Sequence, residues 1–261
     1  MGSSSSCCNG RSKCCRIESI LSLDLQMKEL VFPAPKNKQE IVQLKDDLIF
    51  IYSINAIIIT PQIKKSDKYI IFSHGNGSNV STHHNYLKSF SNEFGVTVIC
   101  YDYPGYGLTE GEPSEDSCFE SLVTIIEYVS KLTDSKNIIL MGHSLGTAVI
   151  IDYVSKNKWT NPVILISPFK SIPEVYSKFH IIVYLTKKYR FDSGSKLKNV
   201  ICPVKIFHGE EDKIVNISHG KYLYEHLNNK ILAPIWMPLV GHNDVLEKIC
   251  PFDIMEILSY K

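Results

Sequence analysis

The sequence predicts an α/β fold, a mostly parallel central sheet with helices on both faces and a short lid. Three observations carry this expectation. Short apolar runs such as Tyr69–Ser73, Val96–Tyr101 and Val163–Ile166 alternate with longer segments of helical period. The runs are apolar at nearly every position, not every second one, as strands covered on both faces are. Two of them end in glycine-rich turns, His74-Gly75-Asn76-Gly77 and Pro104-Gly105-Tyr106-Gly107, where the chain reverses tightly.

Taken in order, residues 1–16 read as a separate tail, rich in Ser, Cys, Gly and basic residues. Residues 17–45 read as a connecting segment. Its apolar positions from Ile17 to Val31 begin on a helical face and then alternate, so it either packs on the domain or lies on a membrane surface. Phe32-Pro33-Ala34-Pro35 ends that stretch, since a residue before proline leaves the α region. The folded domain is expected over 46–261. Asp47–Ile59 gives two β-rich runs and Tyr69–Ser73 a strand. Val80–Phe94 is a helix, Val96–Tyr101 a buried strand, and Ser114–Leu132 a helix with Ser114 as its cap. Asn137–Met141 is a strand and Ser144–Lys156 a helix. Val163–Ile166 and Val204–Phe207 are further strands, and Ile217–Leu227 and Phe252–Leu258 further helices. No internal repeat is present.

Composition excludes several classes. A hydrophobic fraction of 44% suits a globular domain with a full core, and a net charge of +1 provides no bulk field for nucleic acid. No run of eighteen apolar residues is present, so no bilayer span is expected, and the N-terminus lacks the apolar core of a secretory signal. A reducing compartment follows, in which Cys100, Cys118, Cys202 and Cys250 are expected to be buried small hydrophobes or inert thiols. No HExxH, CxxC or P-loop pattern occurs, so neither a metal nor another cofactor is expected.

The chemistry concentrates in Gly142-His143-Ser144-Leu145-Gly146, a G-x-S-x-G motif between the strand ending at Met141 and the following helix. A nucleophile elbow needs that context: the turn is tight enough that small residues must flank the serine two positions away, and the hydroxyl stands at the positive end of the helix. The oxyanion hole is expected from the Leu145 amide and from the His74–Gly77 loop, by the Asn76 amide with Gly77 as the near alternative. His74 itself reads as a structural residue of that loop. The acid is expected after a late strand, at Asp212 in His208-Gly209-Glu210-Glu211-Asp212, with Glu210 and Glu211 as competitors. The base is expected near the C-terminus, at His242 in Gly241-His242-Asn243-Asp244. Ser144, Asp212 and His242 then follow the chain order Ser, Asp, His. His219 and His226 read as helix-surface positions.

A second informative region is the extreme N-terminus. Met1-Gly2-Ser3-Ser4-Ser5-Ser6 fits the myristoylation pattern, with Gly2 exposed once Met1 is removed. One myristoyl chain binds membranes only with a constant on the order of 10⁴ M⁻¹, so a second signal is needed. Cys7, Cys8, Cys14 and Cys15 are candidates for palmitate, and Arg11, Lys13 and Arg16 for attraction to an anionic leaflet. Adjacent cysteine pairs are poorly spaced for a tetrahedral zinc site.

The chain resembles the α/β-hydrolase-domain 17 family of membrane-bound protein depalmitoylases. The resemblance runs from the cysteine-rich tail and Phe32–Pro35 through the His74–Gly77 loop, Tyr101-Asp102-Tyr103-Pro104-Gly105-Tyr106-Gly107 and the Gly142–Gly146 elbow. It is most specific late in the chain, at Phe191-Asp192, Cys202-Pro203-Val204, His208-Gly209, Ser218-His219-Gly220, Leu223-Tyr224-Glu225 and Gly241–Asp244. It implies an α/β-hydrolase fold, a Ser144–Asp212–His242 triad, S-acylated membrane proteins as substrates and residence on the cytoplasmic face of a membrane. The myristoylation signal departs from the family's cysteine-only anchor, which puts the anchoring route and substrate choice in question. Hydrolysis of monoacylglycerols or small esters remains the alternative activity, and a membrane-tethered binding protein without catalysis the alternative class. Pro168–Lys198 is the only room for a lid. Its Phe169, Ile172, Val175, Tyr176, Phe179, Ile182 and Tyr184 either line an acyl groove or pack in the core.

Overall fold

The computed structural model describes residues 28, 29, 31–35, 38–176 and 189–260. Its strands are β1 (Leu48–Ile51), β2 (Ile54–Ile59), β3 (Tyr69–Ser73), β4 (Thr97–Tyr101), β5 (Ile138–His143), β6 (Val163–Ile166), β7 (Val204–Gly209) and β8 (Ile235–Met237). They form one eight-stranded sheet in the order β1-β2-β4-β3-β5-β6-β7-β8. The β1–β2 and β2–β4 pairs are antiparallel, and every pair from β4 to β8 is parallel. The described helices are α1 (Lys38–Val42), α2 (Val80–Phe94), α3 (Glu115–Val129), α4 (Leu145–Lys156), α5 (Ile172–Val175), α6 (Ile217–His226), α7 (Val245–Lys248) and α8 (Pro251–Leu258).

The expected α/β architecture is present, and the side-chain period explains its two layers. Along β5, Ile138 and Leu140 face a core shared with Leu122 and Ile125 of α3 and Val149 of α4. Ile139 and Met141 face the opposite core, shared with Leu87 and Phe90 of α2 and Ile254 and Ile257 of α8. Successive strand residues point to opposite faces, so a fully apolar β5 demands cover on both. Both long helices open on capping boxes. Asn79 and Thr82 close the first turn of α2, Ser114 and Ser117 that of α3.

Several boundaries move. The three-residue β8, flanked by Pro234 and Pro238, is too short to show a period and was not expected. The four- and five-residue helices α1, α5 and α7 escaped for the same reason. β5 runs on to His143, and α4 begins at Leu145, not Ser144. The fold also extends upstream of residue 46. Val31 and Phe32 are buried in the α3/α4-side core and Ile41 in the other, so the described part of the connecting segment packs on the domain. Cys100, Cys118 and Cys202 are buried as expected, whereas Cys250 is exposed at the entrance to α8. Among the described residues no helix is long and apolar enough to cross a membrane. Gly2, Cys7, Cys8, Cys14 and Cys15 lie outside the described residues, as do 177–188 in the expected lid.

The topology places the site. From β3 the chain passes through α2 to β4 on one side, then returns through α3 to β5 on the other. Such a reversal opens a crevice at the carboxyl ends of the two strands. Ser73 pairs with Gly142 there, so the loop after β3 and the turn after β5 stand side by side.

Candidate active site

Ser144 occupies the turn between β5 and α4 with φ 50° and ψ −112°. A non-glycine residue with positive φ is strained, and here neighbouring atoms enforce it. The Ser144 amide donates to the Ile166 carbonyl at 2.9 Å, and the Thr147 hydroxyl donates to the Ser144 carbonyl at 2.6 Å. A Cβ on Gly146 would lie 2.0 Å from the Ser73 carbonyl oxygen, and one on Gly142 would lie 2.7 Å from the Gly146 backbone. Glycine at both positions is therefore a steric requirement of the turn, which is why the G-x-S-x-G spacing is visible in the sequence.

The structure brings the three expected residues together. His242 Nδ1–H donates to Asp212 Oδ2 at 2.6 Å, and Ser144 Oγ–H donates to His242 Nε2 at 3.0 Å. The carboxylate is acceptor-only, which assigns the proton to Nδ1 and leaves Nε2 free to accept. Asp212 is fully desolvated but well supplied. Its Oδ1 accepts from the Ile214 and Val215 amides at 2.9 and 2.7 Å, and its Oδ2 lies 3.3 Å from His208 Nε2. Burial works against ionisation of Asp212, but His208, His242 and the Val215 amide outweigh it and hold the carboxyl well below the usual carboxylate range. Glu210 and Glu211 point to solvent, so neither competitor contacts His242.

Two histidines not expected to take part complete this arrangement. His208 Nε2 lies 2.9 Å from the Val215 carbonyl, which ties the end of β7 to the loop that carries Asp212. His143, the residue before Ser144, donates from Nε2 to the His242 carbonyl at 3.2 Å, and Ser167 Oγ reaches the same oxygen at 3.4 Å. Burial, followed by the neighbouring His242, pushes the His143 pKa down to about 3. It stays neutral and acts as a fixed donor that sets the His242 loop. His219, expected on the surface, is half-buried instead, and its Nδ1 accepts from the Lys170 amide at 3.3 Å.

The loop after β3 is oriented by its own carbonyl. Gly75 C=O accepts from His74 Nδ1–H at 2.8 Å and from Ser78 Oγ–H at 2.9 Å, and His83 Nε2 supports Ser78 at 3.1 Å. In a planar trans peptide the carbonyl and the next N–H point in opposite directions. Drawing Gly75 C=O toward this buried network turns the Asn76 N–H away from it. Asn76 Oδ1 accepts from Tyr106 O–H at 2.7 Å, which holds the side chain. His74 is wholly buried and its carbonyl accepts from Tyr103 O–H at 3.0 Å, in keeping with a structural role. The Leu145 amide opens α4 and so has no intrahelical acceptor.

Among the described residues, a cavity of about 510 Å³ lies open above Ser144, lined by Gly75, Asn76, Ser78, His83, Ile214, His242 and Leu246. Among the described residues, no group of three or more His, Cys, Asp or Glu is placed to hold a metal ion.

Comparison with known proteins gives the family. The family model described as serine aminopeptidase, S33, matches residues 64–193. The L404 alpha/beta hydrolase of Acanthamoeba polyphaga mimivirus is 45% identical over 196 residues, covering 74% of this chain and 73% of that protein. The chain belongs to the α/β-hydrolase family. Within this family it is similar to alpha/beta hydrolase domain-containing protein 17C of Mus musculus, at 31% identity over 69% of the chain and 56% of that protein. The aho-3 protein of Caenorhabditis elegans is 30% identical over 72% of the chain and 58% of that protein. The chain thus spans less than three-fifths of these two animal relatives. Among solved structures, Est1E from Butyrivibrio proteoclasticus with ferulic acid bound superposes with a TM-score of 0.66 at 19% identity, over 82% of this chain and 99% of that one. That likeness is one of fold.

Proposed function

We propose that this α/β hydrolase is a serine hydrolase that releases long-chain acyl groups from cysteine thioesters of membrane proteins. The observation that carries the reading is the continuous hydrogen-bonded line from Ser144 through His242 to Asp212, at 3.0 and 2.6 Å, beneath an open cavity. Ser144 Oγ attacks the thioester carbonyl while His242 Nε2 takes its proton, and Asp212 holds the tautomer and stabilises the imidazolium. The Leu145 and Asn76 amides receive the oxyanion. The C–S bond breaks and the cysteine departs as thiolate, which at a pKa of about 8.5 needs little help from an acid. The imidazolium gives its proton to the departing thiolate, and neutral His242 then deprotonates the water that cleaves the acyl-serine, returning the proton to Ser144 Oγ as the fatty acid leaves. The chemistry calls on no cofactor.

The thioester reading is supported by the likeness to the domain 17 proteins, and the cavity above Ser144 has room for an acyl carbonyl. Membrane residence is part of the same proposal. Myristate on Gly2 gives reversible sampling of the bilayer, and palmitate on Cys7, Cys8, Cys14 or Cys15 makes it stable, at about 0.8 kcal/mol for each buried methylene. S-acylated proteins in that leaflet are then met at high effective concentration.

Two experiments test the proposal. Ser144→Ala should abolish fluorophosphonate labelling and turnover with the fold retained, a loss on the order of 10⁶ in kcat by analogy with other triads. Near-normal activity in that variant removes Ser144 as nucleophile. Parallel assays on an S-acylated peptide, a monoacylglycerol and a short ester should rank the thioester first, and preference for the glyceride would establish the lipase alternative. For the anchor, replacing all four tail cysteines with serine should shift the protein out of the stable membrane fraction while soluble-ester turnover persists. Unchanged membrane recovery overturns the palmitate step.

A further inference from the structure

The catalytic cavity does not end at Ser144. A second trough of about 170 Å³ adjoins it, and the two share Tyr86, Leu246 and Glu247 as lining residues. Its floor is apolar and buried, formed by Phe90 and Phe94 of α2, Leu246 of α7 and Ile254 of α8. Its lips are polar and exposed, at Ser89, Glu93 and Glu247. A narrow apolar floor between polar lips, beside the cavity that holds the nucleophile, is the shape that an unbranched hydrocarbon chain fills. We propose that the trough between α2 and the α7–α8 pair is the acyl-chain site, with the carbonyl at Ser144 and the methyl end near Phe94 and Ile254. This rests on Ser144 being the nucleophile and adds where the chain runs.

Of the two roles open to Phe169 and Ile172 in the sequence, groove lining or core packing, the structure has the second: both are buried in the core on the α3/α4 side, and Val175 and Tyr176 pack against the same core. The trough lies on the opposite face, in the core layer of α2 and α8. Phe179, Ile182 and Tyr184 lie outside the described residues.

The length of α2 sets the chain that fits. His83 lines the cavity and Phe94 the far trough, eleven residues apart in one helix, which is about 16 Å at the helical rise. Carbon–carbon bonds of about 1.5 Å advance an extended chain by roughly 1.25 Å per carbon, so the cavity and the trough together span about thirteen carbons. Acyl groups of fourteen to sixteen carbons would run the length of both, and shorter ones leave apolar floor exposed.

The test uses the full chain, a series of acyl esters from four to eighteen carbons, and the variant Ser89→Trp, which introduces an indole at an exposed lip without altering the floor. For the unmodified protein, kcat/KM should rise about two- to fourfold per methylene buried and level off near sixteen carbons. In Ser89→Trp the ratio of kcat/KM for the sixteen-carbon ester to that for the four-carbon ester should fall at least tenfold. A flat chain-length profile, or a ratio unchanged by the tryptophan, overturns the proposal. Direct binding separates this from the hydrolase reading. In a Ser144→Ala background, hexadecanoate should bind at least tenfold more tightly than butanoate, and adding Ser89→Trp should remove the difference. Preserved binding with no turnover of any ester keeps the trough and rejects the hydrolase. Turnover of short esters with no preference for hexadecanoate keeps the hydrolase and rejects the trough.

Discussion

Asp212→Asn is the substitution whose consequence the geometry determines most tightly. The two carboxylate oxygens have different partners. Oδ1 accepts two backbone N–H groups, of Ile214 and Val215, whereas Oδ2 faces His242 Nδ1. An asparagine must place its carbonyl oxygen at the Oδ1 position, because an NH₂ there would confront two donors in a buried pocket. Its NH₂ then occupies the Oδ2 position and donates to His242 Nδ1. The imidazole is driven to its other tautomer, with the proton on Nε2, and cannot take the proton of Ser144. In a comparable triad this exchange lowers kcat by about 10⁴. The assay is kcat on a soluble ester near neutral pH, with the unfolding midpoint measured alongside to show that the domain is intact. Glu210→Gln and Glu211→Gln provide the controls and should stay within about twofold, since both side chains are exposed. A folded Asp212→Asn protein retaining a tenth or more of kcat would refute the tautomer argument. A larger loss from either glutamine variant would move the acid away from Asp212.

Three further outcomes are expected. Gly146→Ala sets a Cβ 2.0 Å from the Ser73 carbonyl oxygen, where contacts under 3.0 Å are not tolerated. The elbow must shift by about 1 Å and kcat should fall about 100-fold; normal turnover with normal stability would contradict it. Ser78→Ala removes one of the two donors on the Gly75 carbonyl and should lower kcat by about tenfold, with KM changed less than twofold, by freeing the Asn76 amide. A change confined to KM would count against this orientation of the loop. Burial, ahead of the neighbouring histidines, pushes the pKa of His83 and His143 down to about 3. The unfolded chain takes up these protons near pH 6.5 and the folded one does not, so stability is present above pH 6.5 and declines as the pH falls toward 3. The slope is about 1.4 kcal/mol per pH unit for each histidine. Asp212, held below its usual range, adds to the acid loss only below about pH 4. Denaturant midpoints at pH 7, 6 and 5 should show this decline, and His83→Phe should reduce the slope by about one proton; a flat profile would contradict it.

The sequence alone determined the fold class, the elbow and the order of the three residues. Each rests on constraints that act between near neighbours or at fixed spacing. Gly142 and Gly146 flank Ser144 at a distance of two because a Cβ would strike backbone on either side, and apolar β5 declares cover on both faces because side chains alternate. Contacts formed across the sheet left no such trace. His143 and His242 are 99 residues apart, and no local pattern marks His143 as the donor that sets the His242 loop. His208 stands four residues from Asp212, yet only the turn after β7 brings its ring to that carboxylate. β8 is three residues between prolines, without the length to show a period. The trough was least legible of all. It belongs to the gap between α2 and helices more than 150 residues later in the chain, and the apolar residues that line it look in sequence like those that merely pack. Only the tertiary arrangement decided that Phe90 and Ile254 line a trough beside the cavity above Ser144, while Phe169 and Ile172 are sealed in the core of the other face.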